Sequence, residues 1–540
     1  MMKQKNKSRI VIQVCLALFF ILVVIAPIIT MFTRINSESI KNVFTDANFV
    51  PAIFNSITTS LTATVISVVL ALLASFSLYR TSMRGKGIFA MLFVLPMLIP
   101  SISHAYGLRA LIGKNGYGIL AFMIGKKASI FGFWGIVAGS VLYSFPVAFL
   151  MLQSILRYED GMQYKAAKVL GIPAHRRFFG ITLPYMRKTL ISMFFAVFTM
   201  IITDYGVPEA LYSNKFGYTL SMLLLRNYKD PQKGVGAAGV IGVLLLIPAI
   251  VAFAVDMFVP ELNQSSFVSE PVEESKSRIF KILAYVFCII LSIAIFLPII
   301  AFIIQLFSTA YPWDKSFTFD HVISTINSGA DKFLLYSLLY SAIAAVLGTV
   351  LAFICSYMTT RAKGRVISKA LHLISITSVA IPGLVFGLAY IIFFKRTPLY
   401  GTVLIIGLAN TVHFFVSPYL MMYNTLGKVN ADLEDVGKTL GIRRIRIITD
   451  VIIPKVRFTM FEMAVYFFVN SMMTISAVSL LAPPSPQPLS LMIAQATDQV
   501  EIGKAATVSF MILIVNFIVK LAITLINRHK EKKQGALTVD

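Results

Sequence analysis

Long apolar segments constrain this chain more than any other feature of its sequence. The first of them, VIQVCLALFFILVVIAPIITMF at residues 11–32, is long enough to cross the roughly 30 Å hydrocarbon core of a bilayer as a helix. Only 13% of the 540 residues are charged, which is too few for the surface of a water-soluble protein of this length. The sequence therefore predicts an all-α polytopic membrane protein.

Twelve such segments are predicted, six on each side of a polar, Ser-rich stretch at residues 259–279. The predicted spans are 10–32, 54–79, 87–108, 130–155, 187–206, 236–258, 280–307, 333–358, 370–394, 402–426, 458–482 and 505–527. We therefore divide the chain into a first half at 1–258, a cytoplasmic linker at 259–279 and a second half at 280–540.

The net charge of +24 follows the predicted membrane topology. Lys and Arg collect in short loops on one side of the spans, and the positive-inside rule places these loops and both chain termini in the cytoplasm. This distribution accounts for the charge without a nucleic-acid partner. The first apolar run is longer than the apolar region of a signal peptide, and no small-residue cleavage site follows it, so we expect it to remain as the first span.

Two polar stretches that lie far apart in the chain share one pattern. KAAKVLGIPAHRRFFGITLP occupies residues 165–184 and DVGKTLGIRRIRIITDVIIP occupies residues 435–454, with Gly and Pro at the same relative places in both. Further matches in the same order are Pro100 with Pro382, Asp204 with Thr474, and Leu-Ser at 220–221 with Leu-Ser at 489–490. Such self-similarity indicates duplication, and two halves in one orientation predict a pseudo-two-fold axis along the membrane normal with a pathway between them.

Each polar stretch is predicted to form a surface that binds a partner. Gly171 suits the left-handed position that ends a short helix, and Pro184 is predicted to mark the entry into the next membrane helix. The apolar residues of the predicted face are Ala167, Leu170 and Phe178 in the first copy and Val436, Leu440 and Ile445 in the second. An amphipathic loop lying on the membrane would explain one copy, but the same spacing in two copies favours docking.

The two stretches resemble a pattern of the inner-membrane permeases of bacterial ATP-binding cassette (ABC) importers, which reads E-A-A, three residues, G, nine residues, I-x-L-P. The matching positions are Lys165, Ala166, Ala167, Gly171 and Pro184 in the first copy and Asp435, Val436, Gly437, Gly441 and Pro454 in the second. Both copies depart from the pattern at the leading Glu, and the second copy also lacks both alanines. TDYGVPEAL at 203–211 resembles a stretch of fused two-domain permeases for ferric iron, thiamine and 2-aminoethylphosphonate.

The resemblance implies the fold of a type I importer permease, with two homologous six-helix halves and coupling loops at 157–184 and 428–454. The implied partners are a cytoplasmic ABC ATPase dimer at the coupling loops, an extracytoplasmic solute-binding protein and a small polar solute such as ferric iron, a phosphonate or thiamine. The implied location is the bacterial plasma membrane. No cofactor is expected on this chain, because ATP and magnesium belong to the partner ATPase. The sequence contains no G-x-x-x-x-G-K-[ST] loop, so we expect a transport component and not an enzyme.

Five residues in or beside the predicted spans are candidates for lining the transport pathway, namely Asp204, Tyr205, Pro100, Pro382 and His104. A carboxylate at membrane depth is costly, so Asp204 is predicted either to line the pathway or to bond a neighbouring helix. The prolines break helix ladders, which is tolerated where a cavity or a protein neighbour satisfies the freed carbonyls. The histidines of the predicted spans come from different helices at no ligand spacing, and no metal site is predicted.

Two other classes of membrane protein fit parts of this pattern. An ion-gradient-driven secondary transporter of six-plus-six architecture would need no ATPase, and a membrane scaffold would need no pathway. A secondary transporter has no reason to repeat a docking loop before the fifth span of each half. Broken helices cost stability in a scaffold unless a pathway uses them. The sequence therefore favours the importer permease.

Overall fold

The computed structural model describes residues 2–113, 118–124, 129–156, 159, 161–258, 272–275, 277–361, 366–377, 381–430, 432–481, 487–498 and 501–537. Within these ranges the chain is helical apart from a two-stranded antiparallel sheet, an isolated bridge and short connections. The all-α prediction is confirmed. Residues 259–271 and 276 of the predicted linker lie outside the described ranges.

The helices before the predicted linker are α1 (Met2–Phe20), α2 (Ala26–Phe32), α3 (Ser37–Phe44), α4 (Phe49–Tyr79), α5 (Lys86–Val94), α6 (Ser101–Leu111), α7 (Ile119–Ile124), α8 (Phe133–Leu156), α9 (Met162–Val169), α10 (Ala174–Arg177), α11 (Leu183–Ile202), α12 (Gly206–Ala210), α13 (Leu220–Lys229) and α14 (Gly234–Phe258). Those after it are α15 (Arg278–Leu306), α16 (Asp320–Asn327), α17 (Ala330–Thr360), α18 (Val366–Ile376), α19 (Gly383–Phe394), α20 (Val403–His413), α21 (Val416–Lys428), α22 (Asp432–Thr439), α23 (Arg444–Ile447), α24 (Ile453–Met473), α25 (Leu489–Asp498) and α26 (Ile502–Leu537). The strands are β1 (Ser308–Ala310) and β2 (Asp314–Phe317), and π-helical turns lie at Ile21–Ile25, Phe178–Thr182 and Ile448–Ile452.

Eight helices in the described part of the chain are long and apolar enough to cross a membrane, and two bent helix pairs raise the number to ten if each pair is one span. The predicted span 370–394 is divided between the short helices α18 and α19. The predicted span 458–482 corresponds to α24, which ends at Met473. The polytopic membrane fold is confirmed, whereas the number twelve stays a prediction.

Proline determines where two of the spans break. The helical segments Lys86–Leu98 and Ser101–Leu111 meet at an angle of 103°, and Pro100 directly precedes the second of them. Pro382 has the same place before α19, with φ −58° and ψ 143° against φ −56° and ψ 149° at Pro100. A proline has no N–H to donate to the preceding turn, so the chain leaves one helix there and begins another. The predicted breaks at both prolines are confirmed.

Two compact units make up the fold, and each contains the first long helix of the other sequence half. The first-half unit comprises Ser37–Thr325 and Ile493–Ser509, and it therefore includes α15. The second-half unit comprises Met1–Asn36, Ile326–Met492 and Phe510–Asp540, and it therefore includes α1 and α2. The predicted division of the chain describes the sequence repeat, whereas the packing exchanges the first helix of each half.

Close contacts hold the exchanged helices in their units. In the first-half unit, Tyr106 of α6 stacks on Phe302 of α15 with ring centroids 6.2 Å apart. In the second-half unit, the hydroxyl of Tyr390 in α19 donates to the carbonyl of Val23 at 2.8 Å. Lipid tails are as apolar as the helices themselves, so hydrophobicity does not choose among partner helices in a bilayer. Shape and side-chain hydrogen bonds such as these make the choice.

The duplication is visible in the boundaries of the elements. The helices α9 and α10 and the π-helical turn Phe178–Thr182 recur in the same order as α22, α23 and the turn Ile448–Ile452. The second long helices of the two halves, α4 and α17, both have 31 residues. The internal repeat predicted from the sequence is confirmed.

Candidate functional site

Both coupling loops contain the same turn after their short helix. Gly171 has φ +70° and Gly441 has φ +71°, a left-handed conformation that strains any residue with a Cβ. The hydrogen bonds that close the two turns run from Ile172 N–H to Ala167 O (3.0 Å) and from Ile442 N–H to Gly437 O (2.9 Å). This pattern is a Schellman motif, in which the residue after the glycine bonds back across the end of the helix. Each glycine therefore ends a helix, as the sequence predicts.

A π-helical turn precedes Pro184 (Phe178–Thr182) and its counterpart Pro454 (Ile448–Ile452). The helix that carries Pro184 spans Ala174–Ile202 and does not begin at the proline. Pro184 lies in the first turn of α11, as the sequence predicts, and the place at which this helix enters the membrane stays a prediction. The extra residue of a π-helical turn accommodates the ring and the missing donor, so the helix continues through the proline.

The apolar face predicted for the loops is divided in the first copy. Leu170 is 76% exposed and its counterpart Leu440 is 70% exposed. Ala167 is buried, and the ring of Phe178 packs on Phe76 of α4 with 5.5 Å between centroids. Other exposed apolar side chains of the loops include Ala166, Val169, Phe179, Val436 and Ile445. Ala167 and Phe178 thus hold the first loop to its own half, and the two leucines mark corresponding exposed positions.

The positions that depart from the importer pattern lie within the short helices α9 and α22. Lys165 is half-buried, and Asp435 at the corresponding place is exposed. Gly437 replaces Ala167, and a Cβ on Gly437 would lie 2.4 Å from Cδ1 of Ile447. Ile447 fills the space beside the glycine, so the loss of the alanine in the second copy leaves no cavity.

An arginine holds each coupling loop to the second long helix of its half. Arg80, directly after α4, forms an ion pair with Glu159, whose side chain is 3% exposed. Arg361, directly after α17, pairs with Glu434 at 2.9 Å between Nε and Oε1. Burial lowers the pKa of the Arg80 guanidinium, but arginine stays charged in proteins, so the buried cation depends on its carboxylate. Neither pair is predictable from the sequence, in which both arginines resemble the other basic residues of the loops.

Asp204 joins two of the predicted pathway elements in the first half. Its Oδ1 accepts a hydrogen bond of 2.7 Å from Oγ of Ser101, the residue that directly follows Pro100. Its Oδ2 accepts a hydrogen bond of 2.9 Å from the N–H of Val207. The buried carboxylate therefore fixes the start of α6 and the first turn of α12. The hydroxyl side chains that line the crevice beside it are Ser56, Thr59, Ser60, Ser140, Thr219 and Ser221. The structure shows the predicted bond to a neighbouring helix, and the pathway role stays a prediction.

The second half repeats the backbone contacts around this position. The hydroxyl-to-carbonyl bonds are Ser221 to Asp204 and Ser490 to Thr474, each 2.7 Å. The amide-to-hydroxyl bonds are Leu220 to Ser56 and Leu489 to Ser337, each also 2.7 Å. The repeated Leu-Ser pairs of the sequence therefore anchor the starts of α13 and α25. A carboxylate is present here in the first half alone, since Thr474 takes its place in the second.

Replacing Asp204 by asparagine is expected to leave the melting temperature close to that of wild type and the rate of solute uptake within about twofold of it. The asparagine amide still accepts a hydrogen bond from the N–H of Val207 and can donate one to Ser101 Oγ. Alanine leaves both buried partners unbonded, which costs about 2–4 kcal/mol. Thermal melting and solute uptake measure the two effects. Thr474→Val is the matched control, because the Thr474 hydroxyl makes no hydrogen bond to the residues that the structure describes. An Asp204→Asn protein that melts like wild type but has lost uptake contradicts the structural role and favours the pathway role.

The other pathway candidates also have defined places. His104 is buried, and its Nε2 donates to the carbonyl of Pro96 at 3.1 Å, which satisfies an acceptor at the break before α6. Tyr205 is buried at the start of α12, and Pro382 directly precedes α19. In the described ranges, no three His, Cys, Asp or Glu side chains lie close enough together to hold a metal ion. The pathway role of these residues stays a prediction.

Comparison with known proteins identifies a family that matches both halves of the chain. The family described as "Binding-protein-dependent transport system inner membrane component" matches residues 63–264 and 344–532, which together are more than half of the chain. The two matches begin at Ala63 and Ala344, which occupy the same place in α4 and in α17. The family match and the structural repeat therefore coincide.

Similarity to individual permeases differs in how much of the chain it covers. The ferric transport system permease protein FbpB of Actinobacillus pleuropneumoniae is 23% identical in an alignment of 532 positions, which covers 93% of this chain and 76% of the relative. The thiamine transport system permease protein ThiP of Brucella abortus (strain 2308) is 25% identical over 32% of this chain and 33% of the relative. The probable sulfate transport system permease protein cysT of Chlorokybus atmophyticus is 27% identical over 46% of this chain and 87% of the relative. Of these three, FbpB is similar across both halves.

Proposed function

Because the chain belongs to the family of binding-protein-dependent transport system inner membrane components, we propose that it forms the pathway by which ferric iron enters a bacterial cell. It is a multi-pass permease of the ABC importer class, with both permease halves fused in one chain. The choice of ferric iron rests on the permease whose similarity covers 93% of this chain. Thiamine and a phosphonate are the competing solutes.

The pair of coupling loops carries the proposal that the permease works with an ATPase. Two loops with the same turn and an exposed leucine at the same place suit two copies of one partner, and a cytoplasmic ABC ATPase dimer supplies two. ATP binding draws the ATPase subunits together, and the loops pass this movement to the membrane helices. The pathway then opens to a solute delivered by an extracytoplasmic binding protein. ATP and magnesium stay on the ATPase, and this chain carries no cofactor.

The positions of the basic loops indicate which parts of the chain face the cytoplasm. We place both termini and both coupling loops in the cytoplasm, and the chain in the bacterial plasma membrane. The chain is a transport component, and in this proposal the hydrolysis of ATP takes place on separate subunits. Family membership disfavours the ion-gradient-driven secondary transporter, which has no use for a binding protein or for a repeated docking loop.

Reconstitution in liposomes tests the proposal. The permease is purified together with the ATPase that accompanies it, and the binding protein of the same cells is added loaded with ferric iron. We expect the loaded binding protein to stimulate ATP hydrolysis and to support uptake of radiolabelled iron, whereas the same protein without iron gives the basal rate. Stimulation by thiamine or by 2-aminoethylphosphonate instead of iron would agree with an ABC importer but would overturn the choice of ferric iron as the solute. Uptake that is driven by an ion gradient and needs no ATPase would overturn the importer itself.

A further inference from the structure

We infer that Arg80 and Arg361 are positioning residues that make each coupling loop move together with the second long helix of its half. The inference rests on the proposed coupling of this permease to an ATPase. It concerns residues outside the glycine turns and the exposed leucines, and it assigns the two arginines a role in transmitting movement.

The two arginines occupy the same place in the repeat. Arg80 directly follows α4, and Arg361 directly follows α17. The N–H of each arginine still bonds to the carbonyl four residues back, which is Phe76 at 2.9 Å and Tyr357 at 3.2 Å. The backbone of each arginine therefore belongs to the last turn of the helix, and its side chain extends from the end of the span to the loop.

In the first half the guanidinium contacts two points of the coupling loop. It forms the ion pair with Glu159, which lies before α9, and it lies over the ring of Tyr164 within α9 at 5.9 Å from the centroid. The Arg80 side chain is 15% exposed, and its partner is almost fully buried. Because the pair is largely removed from water, solvent and salt screen its attraction much less than that of a surface pair.

In the second half the guanidinium contacts the corresponding two points. Nη1 of Arg361 donates to the carbonyl of Val429 at 3.0 Å, and Nε lies 2.9 Å from Oε1 of Glu434. Both side chains of this ion pair are less than a tenth exposed. Arg444 supplies a second cation, with Nε at 4.0 Å from Oε2 of Glu434.

The carboxylate has changed places between the halves. In the alignment that pairs Gly171 with Gly441, Val429 is the counterpart of Glu159 and Glu434 is the counterpart of Tyr164. The first half presents a carboxylate and then a ring to its arginine, whereas the second half presents a backbone carbonyl and then a carboxylate. Neither loop position has the same side chain in both halves, so no single side chain is required at either position. Both arrangements have in common that they neutralise the arginine and hold it in place.

Holding the arginine adds a connection that the polypeptide lacks. Each coupling loop is joined in sequence to the helices before and after it, but not to α4 or α17. A buried ion pair resists separation, because pulling the partners apart leaves an uncompensated charge in a dry site. The arginine therefore passes a movement of the loop directly to α4 or α17. Because α4 packs along α8 and α17 packs along α24, the loop then moves both helices of each packed pair together.

An exchange of the two arrangements tests the inference. Glu159→Gln is expected to lower iron uptake per ATP hydrolysed by at least about tenfold while the ATPase still co-purifies, because Arg80 loses its counter-charge. Glu159→Val combined with Tyr164→Glu gives the first half the arrangement of the second. This double variant is expected to restore coupling to within about threefold of wild type, since Arg80 regains a carboxylate. Glu159→Val alone is the matched control and is expected to resemble Glu159→Gln.

The inference is overturned if Glu159→Gln takes up as much iron per ATP hydrolysed as the wild type does. It is also overturned if the double variant takes up no more iron per ATP hydrolysed than Glu159→Val alone. If Glu159→Gln does not accumulate in the membrane, the amount of folded permease is compared instead, and recovery on adding Tyr164→Glu to Glu159→Val is again the expected result. A wild-type permease that binds no ATPase overturns the proposed function together with this inference. If the wild-type complex couples ATP hydrolysis to iron uptake and the variants do so equally well, this inference alone is overturned.

Discussion

Replacing Leu170 and Leu440 together by glutamate is expected to abolish ATPase binding and ATP-driven uptake while the permease still folds and reaches the membrane. The two leucines are 76% and 70% exposed, so a carboxylate at either position stays hydrated in the free permease. In the proposed complex the same side chains enter the surface of the ATPase, where an unpaired carboxylate loses its hydration at a large cost in binding free energy. Co-purification of the ATPase and uptake in liposomes measure the loss.

Val366→Glu is the matched control for this double variant. Val366 is 81% exposed at the start of α18 and lies outside both coupling loops, so its exchange is expected to leave ATPase binding unchanged. Each single leucine variant is expected to retain part of the binding, because the second loop still docks. A double variant that binds the ATPase normally but accumulates poorly in the membrane would mean that the leucines contact lipid, and the docking role of the loops would be wrong.

The turns of the coupling loops are predictable because their signals are local. A helix that ends in a left-handed residue needs glycine at that residue, and Gly171 and Gly441 meet this need whatever surrounds them. The breaks at Pro100 and Pro382 are predictable for a similar reason, since proline removes a backbone donor in any environment. Pro184 shows the limit of such signals, because a π-helical turn accommodates it and the helix continues.

Features that join distant parts of the sequence are not predictable in this way. Hydropathy identifies α15 as a membrane helix, but its packing on α6 depends on shape. The ion pair between Arg80 and Glu159 joins residues 79 positions apart, and nothing local distinguishes this arginine from others in basic loops. The predicted docking face of the first loop is divided for the same reason, namely a contact between distant parts of the sequence. Phe178 packs on Phe76 and is therefore turned toward its own half.

Replacing Gly107 by valine is expected to prevent the first-half unit from folding. A Cβ on Gly107 would lie 2.7 Å from the carbonyl oxygen of Pro298 and 3.0 Å from its carbonyl carbon. These are backbone atoms of α15, and they cannot turn away as a side chain can. The helices α6 and α15 must therefore separate to admit a larger residue. Overpacking of this kind costs about 1–3 kcal/mol for a small addition such as Gly107→Ala, and valine adds two further methyl groups.

The separation would also remove the contacts on either side of Gly107. Tyr106 stacks on Phe302, and the carbonyl of Ala110 accepts a hydrogen bond from the hydroxyl of Tyr311. Helices in lipid associate through close packing and hydrogen bonds rather than by expelling water, so no hydrophobic gain offsets these losses. The cost of valine at this position is therefore expected to exceed that of the clash alone.

Gly87→Val is the matched control, because Gly87 lies in α5, the other arm of the same broken span, and a Cβ there meets nothing within 4 Å. Thermal melting in detergent is expected to place Gly87→Val close to wild type and Gly107→Ala below it, while Gly107→Val is not recovered as folded protein. A Gly107→Val permease that melts like Gly87→Val would mean that α6 and α15 are not packed together in the membrane. The exchange of first helices between the two units would then be wrong for the first half, because the contact at Gly107 sets α6 directly against the backbone of α15.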